Sequence, residues 1–336
     1  MKKNYLTLAT LLLGALILTY ILSKISLNEI ILRFSHVSSG LLITYILVSI
    51  SIMVLLTARW QIILRSQKHY IDFLSLFQYR LVGYAISYVT PAAKLGGEPV
   101  RAALLKRKGL SFHQAFSGVV IDKTVELTTN GIFFITGIGV LVVNVALPEN
   151  MKILAIITSS LIAFTIFFFF SRMLRGKHFF YRIFRIFHLQ KIKQLQSFEE
   201  NLIEFENLII KFYKEDKKHF LFAILFSFLS WLFMFLEYKV AILMLGYNIP
   251  LLWVFLVFSF IGIAYILPLP MALGSLEASQ IGAFALLKIP ASVGIALSFL
   301  VRTRDLIWSA IGFGIFLLLG ITKKEISTHH EKRDED

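Results

Sequence analysis

No cysteine occurs in the 336 residues. Disulfide frameworks, thiolate metal sites and cysteine nucleophiles are therefore excluded. Other catalytic signatures are missing too. There is no pair of metal-ligating side chains at helical spacing, no phosphate-binding glycine loop and no serine on a strand-to-helix elbow. The eight histidines are scattered, and His113 stands at a helix start as the neighbour of a cap. No basic patch interleaved with aromatics stands on a soluble domain, so the formal charge of +14 does not indicate a nucleic-acid partner. No catalytic residue, metal or other cofactor is expected. Lys2 and Lys3 precede an apolar run, as in a signal peptide, but no small-residue cleavage site follows. A retained first helix is expected there.

What the chain has in abundance is apolar surface. It is 57% hydrophobic and 14% aromatic, with 32 Phe, more than a soluble core of this size hides. Apolar runs fall at about 5–22, 40–57, 74–90, 113–146, 151–170, 219–245, 251–267 and 291–320. Several approach the roughly 20 residues that cross a hydrocarbon core of about 30 Å. Lys and Arg collect between the runs, the positive-inside pattern. The segment 172–218 holds many of them and is assigned to the cytoplasm. Within it Ile192, Leu195, Phe198, Leu202, Phe205, Ile209 and Phe212 recur at three- and four-residue spacing. That pattern is an amphipathic helix, either lying on the inner membrane face or packed on the bundle as a connector.

Charge also sets the topology. Arg59, Arg65 and Lys68 belong inside, as do Lys106, Arg107 and Lys108. Segment 74–90 leaves the inside, yet the second basic group returns there too soon for a full crossing. A re-entrant hairpin satisfies both: 74–90 enters, the chain turns between Pro91 and Gly97, and 98–109 returns. Segment 251–267 repeats this from the outside, turning between Pro268 and Gly274, and 275–288 goes back. The expectation is an all-α integral membrane protein, an inverted-repeat bundle of about six full transmembrane helices and two re-entrant helical hairpins. It comprises a membrane domain over 1–322, with repeats over about 40–146 and 219–320, and a charged, disordered tail over 323–336. Both termini are expected in the cytoplasm of an inner, or plasma, membrane. Only Lys24, Arg33, Lys152 and Lys288 are then left outside.

The repeat is visible in the residues themselves. Ser87-Tyr-Val-Thr-Pro91 is followed by Gly96-Gly-Glu98 and Asp122-Lys-Thr-Val-Glu126. Ala264-Tyr-Ile-Leu-Pro268 is followed by Leu273-Gly-Ser-Leu-Glu277 and Val301-Arg-Thr-Arg-Asp305. Ala264 follows Ser87 by 177 residues and Arg302 follows Lys123 by 179. Interrupted hydrophobic segments in corresponding places of two halves are how many transporters build a site near the bilayer midplane. Non-helical backbone at membrane depth is tolerated where protein or a watery cavity covers it.

Charges in these segments face inward, where they pair or bind something. Arg101 is three residues beyond Glu98 and either pairs with it or holds a phosphate through its planar fork. Asp122 and Glu126 share a helix face and, across a pseudo-two-fold axis, could meet Arg302 and Arg304, beside Asp305. Glu98 and Glu277 shape the two turns, and Arg80 is a further cavity candidate. The alternative for each of these groups is a structural ion pair without a ligand. Glu237 and Lys239 are two apart and do not face each other.

On Gly96-Gly-Glu-Pro-Val-Arg101, the helix of Asp122, Lys123 and Glu126, and Pro268-Leu-Pro-Met-Ala-Leu-Gly274 with Glu277, the chain resembles the lysylphosphatidylglycerol synthase transmembrane, flippase-like, family. The resemblance covers about residues 5 to 322. It implies a helical membrane domain with an internal repeat that translocates lipid, and no lipid aminoacylation, because the cytoplasmic synthase domain of bifunctional members is missing. Met271 and Ala272 replace two glycines of the family's usual Pro-x-Pro-Gly-Gly-x-Gly turn. The expected function is movement of a charged phospholipid or related lipid between leaflets, gradient-driven or equilibrative since no nucleotide site is present. Its partners are membrane lipids with charged headgroups, with a homo-oligomer or an envelope-assembly protein as further candidates. The competing readings are a non-transporting accessory protein of envelope lipid or glycan assembly, and a lipid transferase using the Asp122 and Glu126 carboxylates.

Overall fold

A computed structural model describes residues 37–90, 96–144, 149–186, 198–266 and 269–320. The expected first helix, the residues 91–95 and 267–268 within the two turns, and the charged tail lie outside the described residues. Among the described residues the structure is helical, with no strand. In chain order the helices are α1 (Ser39–Ser66), α2 (Phe73–Val89), α3 (Glu98–Lys106), α4 (Phe112–Asn144), α5 (Glu149–Leu174), α6 (Phe180–Ile186), α7 (Phe198–Lys214), α8 (Lys217–Met244), α9 (Leu251–Ile266), α10 (Ser275–Leu286) and α11 (Ala291–Leu318).

Local sequence sets the starts. Ser38 and Asp72 accept from the amides of Leu41 and Ser75, at 3.3 and 2.8 Å, and cap α1 and α2. Ser111 and Gln114 bond each other's backbone amide in a reciprocal box before α4. Pro99 sits in the first turn of α3, where its missing N–H is not needed. Glu277 returns to the amide of Gly274 at 3.0 Å and closes the start of α10.

α1, α4, α5 and α8 are long and apolar enough to cross a membrane. α5 shows why the chain needs lipid: it buries only Phe169 and Met173, leaving Ile153, Leu154, Ile156, Ile157, Leu161 and Phe164 exposed. α11 matches α1 and α8 in length but carries Arg302, Arg304 and Asp305 in its middle.

Two antiparallel helix pairs form the centre. α1 runs along α8, with Arg59 opposite Ser227 and Tyr45 opposite Glu237. α2 runs along α11, with Leu81 against Gly312, Tyr84 against Asp305 and Tyr88 facing Arg302. α2 and α3 form a hairpin. Its open end is closed by Lys108 on Asp72 at 3.1 Å, and near its tip the amide of Gly97 donates to Ser87 Oγ at 2.8 Å. The tip is tight because Gly97 packs on the backbone of Gly83, where an added Cβ would overlap the Gly83 carbonyl. α9 and α10 form a second hairpin, tied by Ser275 Oγ donating to the Ala264 carbonyl at 2.9 Å. Its 3-10 turn, Pro270–Ala272, meets α2.

The open end of the first hairpin lies beside the end of α11, where Arg107 donates to the Leu319 carbonyl at 2.7 Å. The second hairpin begins just after α8, where Lys239 reaches Asn248 and the Ile249 carbonyl, both at 2.7 Å.

The amphipathic segment 172–218 behaves as a connector. Its longest helix, α7, packs against α4 and α5, burying Leu202, Phe205, Ile209, Phe212 and Tyr213. Phe205 packs at a tilt on Phe116 at 5.5 Å between centroids, and Tyr213 meets Thr124 at 2.5 Å between hydroxyls. Ile192 and Leu195 lie outside the described residues. Glu206 of α7 is buried and accepts from the amides of Phe179, Phe180 and Tyr181, satisfying the start of α6. His113, beside the α4 cap as expected, lies 3.8 Å from Glu204 of α7.

Candidate functional site

Asp122 is the centre of a first ionic cluster. It lies one-third of the way along α4, fully buried, and three guanidinium groups converge on it. Arg59 of α1 donates to Oδ1 at 2.8 Å, while Arg80 of α2 and Arg101 of α3 both donate to Oδ2, at 2.9 and 2.8 Å. Arg59 also reaches Ser227 of α8 at 2.8 Å and Glu126 at 3.3 Å. Lys123 bridges Glu126 at 2.7 Å and Glu98 at 3.4 Å. Trp60 forms the floor, its ring centroid 3.9 Å from the guanidinium carbon of Arg101 and 5.5 Å from that of Arg80. A charge left unpaired at such a depth costs several kcal/mol, which explains why every one of these groups has an opposite charge beside it.

A second cluster is built on α11. Arg302 forks onto Glu277 of α10, with Nε and Nη2 donating at 2.5 and 2.8 Å, the parallel geometry that suits guanidinium and carboxylate. Arg302 also donates to the carbonyls of Met271 and Ala272, at 2.8 and 3.0 Å. Both of these residues stand at positive φ, 55° and 49°. The turn that lacks the family's glycines thus adopts a glycine-like backbone, and its carbonyls point at an arginine. Arg304 pairs with Asp305 at 2.7 and 3.0 Å and with Glu237 of α8. Tyr84 of α2 donates to Asp305 at 2.6 Å.

α2 links the clusters. Arg80 serves the first and Tyr84 the second, one helical turn or about 6 Å further along the same face.

All nine candidate residues therefore fall into the two clusters: Arg80, Glu98, Arg101, Asp122 and Glu126 in one, Glu277, Arg302, Arg304 and Asp305 in the other. Their pairing differs from the expectation in two respects. Asp122 and Glu126 take Arg59, Arg80, Arg101 and Lys123 from the first half of the chain rather than Arg302 and Arg304. Arg101 turns from its helix neighbour Glu98 to Asp122, because Asp122 is the deeper carboxylate and Lys123 already serves Glu98.

Arg59, Trp60, Tyr84 and Glu237 complete the clusters and were not among the candidates. Arg59 is the plainest correction: it is no loop charge but a residue within α1, 1% exposed. No proline or glycine interrupts Val54 to Ser66, so continuation of the helix past residue 57 was readable. The repeat held a further signal, since Glu237 follows Arg59 by 178 residues, within the repeat's own spacing. Among the described residues no group of three His, Asp or Glu side chains is arranged to hold a metal ion.

Comparison with known proteins finds a matching family and related membrane proteins. The family described as the lysylphosphatidylglycerol synthase TM region matches residues 7–312. A UPF0104 membrane protein of Methanocaldococcus jannaschii is 28% identical over 341 aligned residues, covering 97% of this chain and 98% of the relative. A UPF0104 membrane protein of Methanothermobacter thermautotrophicus is 26% identical over 275, covering 79% and 80%.

Proposed function

We propose that this chain, which belongs to the lysylphosphatidylglycerol synthase transmembrane-region family, moves a charged phospholipid or related lipid between membrane leaflets. It is a membrane protein with several apolar helices. The observation that carries the proposal is the placement of buried ionic clusters at equivalent points of two copies of one segment, each beside the tip of a broken helix. Lipid-facing structure has no use for so many buried charges, whereas a polar passage for a headgroup does.

In this reading the two hairpins are re-entrant. α2, α3, α9 and α10 are about 25, 14, 24 and 18 Å long, from 17, 9, 16 and 12 residues at about 1.5 Å each, all shorter than the roughly 30 Å hydrocarbon core. The first opens toward the basic end of the bundle and the second toward the other, which makes the repeats inverted. The basic end is assigned to the cytoplasm of the plasma membrane, together with both termini. A cleft of about 630 Å³ lined by Arg172, Lys177, His178, Arg182 and Arg185 lies at that end. The nine clustered residues line the headgroup path, and acyl chains stay in lipid. The alternative, a non-transporting accessory protein of envelope lipid or glycan assembly, would move nothing itself.

The test is reconstitution of the purified chain in liposomes carrying headgroup-labelled phosphatidylglycerol, with leaflet exchange followed by quenching of the outer label. Exchange by the wild type and its loss in Arg101→Gln is the expected result, because Arg59 and Arg80 still hold Asp122 in that variant. No exchange above protein-free liposomes, together with a stable complex on pull-down, would move the protein to the accessory class.

A further inference from the structure

We propose that Arg80, Arg101 and Trp60 form the subsite for a monoanionic phosphodiester, so that the transported lipid is read by its phosphate at the first cluster. This rests on the transport reading and specifies its substrate chemistry.

Among the described residues the first cluster holds four cations, Arg59, Arg80, Arg101 and Lys123, against three carboxylates, Glu98, Asp122 and Glu126. The surplus is one positive charge. It is located at Arg80 and Arg101, which share one oxygen of a carboxylate that Arg59 also binds. A surplus charge within low-dielectric surroundings calls for a counter-ion.

Hydrogen bonding points to the same place. Among the described residues Nε of Arg80, Nε of Arg101 and Nε1 of Trp60 are buried with no acceptor. Arg80 and Arg101 are 6% and 5% exposed and Trp60 is fully buried. Buried donors of this kind are rare in a finished core. A phosphodiester supplies what is missing: one negative charge and two non-bridging oxygens that accept from guanidinium forks. Arg101 lies over the ring of Trp60, 3.9 Å from its centroid, and that face can support the guanidinium when it turns from Asp122 to a ligand. The rim is formed by Glu98, Lys123 and Glu126, whose side chains are 13, 14 and 26% exposed. Lys123 bonds both rim carboxylates and Arg59 also reaches Glu126, which weakens their repulsion of an anion approaching from there. A single surplus charge matches a diester, with one negative charge, better than a monoester, with nearly two.

The experiment is native mass spectrometry of the full chain in detergent, titrated with phosphatidylglycerol or with diacylglycerol of the same acyl chains. The wild type is expected to retain phosphatidylglycerol at least tenfold better than diacylglycerol, and R101Q and R80Q are expected to erase that preference. E126Q adds a further unit of surplus at the exposed rim and is expected to tighten phosphatidylglycerol at least threefold. Equal retention of the two lipids, or an unchanged preference in R101Q, overturns the proposal. If the arginine variants fail to fold, E126Q decides, and no gain there overturns it. Dimethyl phosphate separates the sources: displacement of phosphatidylglycerol extends the subsite to soluble phosphodiesters, and failure to displace restricts it to lipid. A chain that binds phosphatidylglycerol through Arg101 yet exchanges no lipid refutes transport alone. One that exchanges lipids with or without a phosphate, unaffected by R101Q, refutes this subsite alone.

Discussion

Arg302 reaches Glu277 at 2.5 Å, and the equivalent pair in the first copy, Lys123 and Glu98, stands 3.4 Å apart. In each repeat a cation on the long helix is bonded to an acid at the start of the returning half-helix. The two pairs differ in weight. Glu277 is 1% exposed and Arg302 also holds two turn carbonyls, whereas Lys123 and Glu98 sit at a wetter rim. Removing one partner of a buried pair costs about 3–5 kcal/mol, and the longer, wetter pair of Lys123 and Glu98 is expected to cost less. Arg302→Gln is therefore expected to lower the unfolding midpoint in detergent more than Lys123→Gln. Arg302→Gln combined with Glu277→Gln should recover part of the loss. Equal losses in the two single variants would show that the pairs are not ranked by burial.

A glycine positions Arg101. A Cβ at Gly83 would lie 2.6 and 2.7 Å from Cγ and Cδ of Arg101. The stem must then shift, and the guanidinium leaves Asp122 with it. Gly83→Ala is expected to cost about 1–3 kcal/mol, as overpacking does, and to reproduce the lipid-retention defect of R101Q. Gly40→Ala is the control: nothing lies within 4 Å of the added atom, and a change within about 0.5 kcal/mol is expected. Mass spectrometry and thermal unfolding of the three proteins decide the matter.

These positions show what the chain disclosed on its own. Apolar run lengths reveal the helices because lipid imposes them. Interrupting Pro and Gly reveal the hairpins, since they are the residues that end or reverse a helix. Sequence spacing suggests local pairs only, and here the local pair is not the one that forms. Glu98 and Arg101 are neighbours on a helix, so their bond was the natural inference, yet Asp122, 21 residues beyond Arg101, takes the arginine. Arg59 was hidden for a related reason. A charge at the end of an apolar run looks like the start of a loop; the uninterrupted sequence allows the helix to continue, but only the buried partner on α4 explains why Arg59 faces inward. The two placements of α7 share one hydrophobic stripe, and periodicity alone gives no choice between lipid and protein as the cover.

Asp72 supplies the pH dependence. It caps α2 and binds Lys108, and its carboxyl is held down at about 2, first by its hydrogen bonds with Ser75 and further by Lys108. The unfolded value is near 3.9. A depressed folded value stabilises the carboxylate form, so the contribution is complete above about pH 4 and is lost as pH falls through about 2. Asp72→Ala is expected to cost about 1 kcal/mol at neutral pH, the usual worth of an N-cap. The gap in unfolding midpoint between wild type and variant should close as pH falls from about 4 toward 2. A gap that widens with acid would show that the carboxylate is not what holds the hairpin's open end.

Met271 carries a backbone that suits glycine better, with φ 55° and ψ 15°. Left-handed backbone costs a residue with a Cβ roughly 1–2 kcal/mol, and glycine gives back about 0.5–1 kcal/mol of that in the entropy it loses on folding. Met271 is partly exposed, so little packing is lost with its side chain. Met271→Gly is expected to raise stability by about 0.5–1 kcal/mol, while Met271→Val, β-branched at positive φ, should lower it. The carbonyl of residue 271 stays available to Arg302 in the glycine variant. Midpoints in the order glycine, methionine, valine support the left-handed turn. The reverse order would mean that the segment after Pro270 follows an ordinary path, and that Arg302 is held by Glu277 alone.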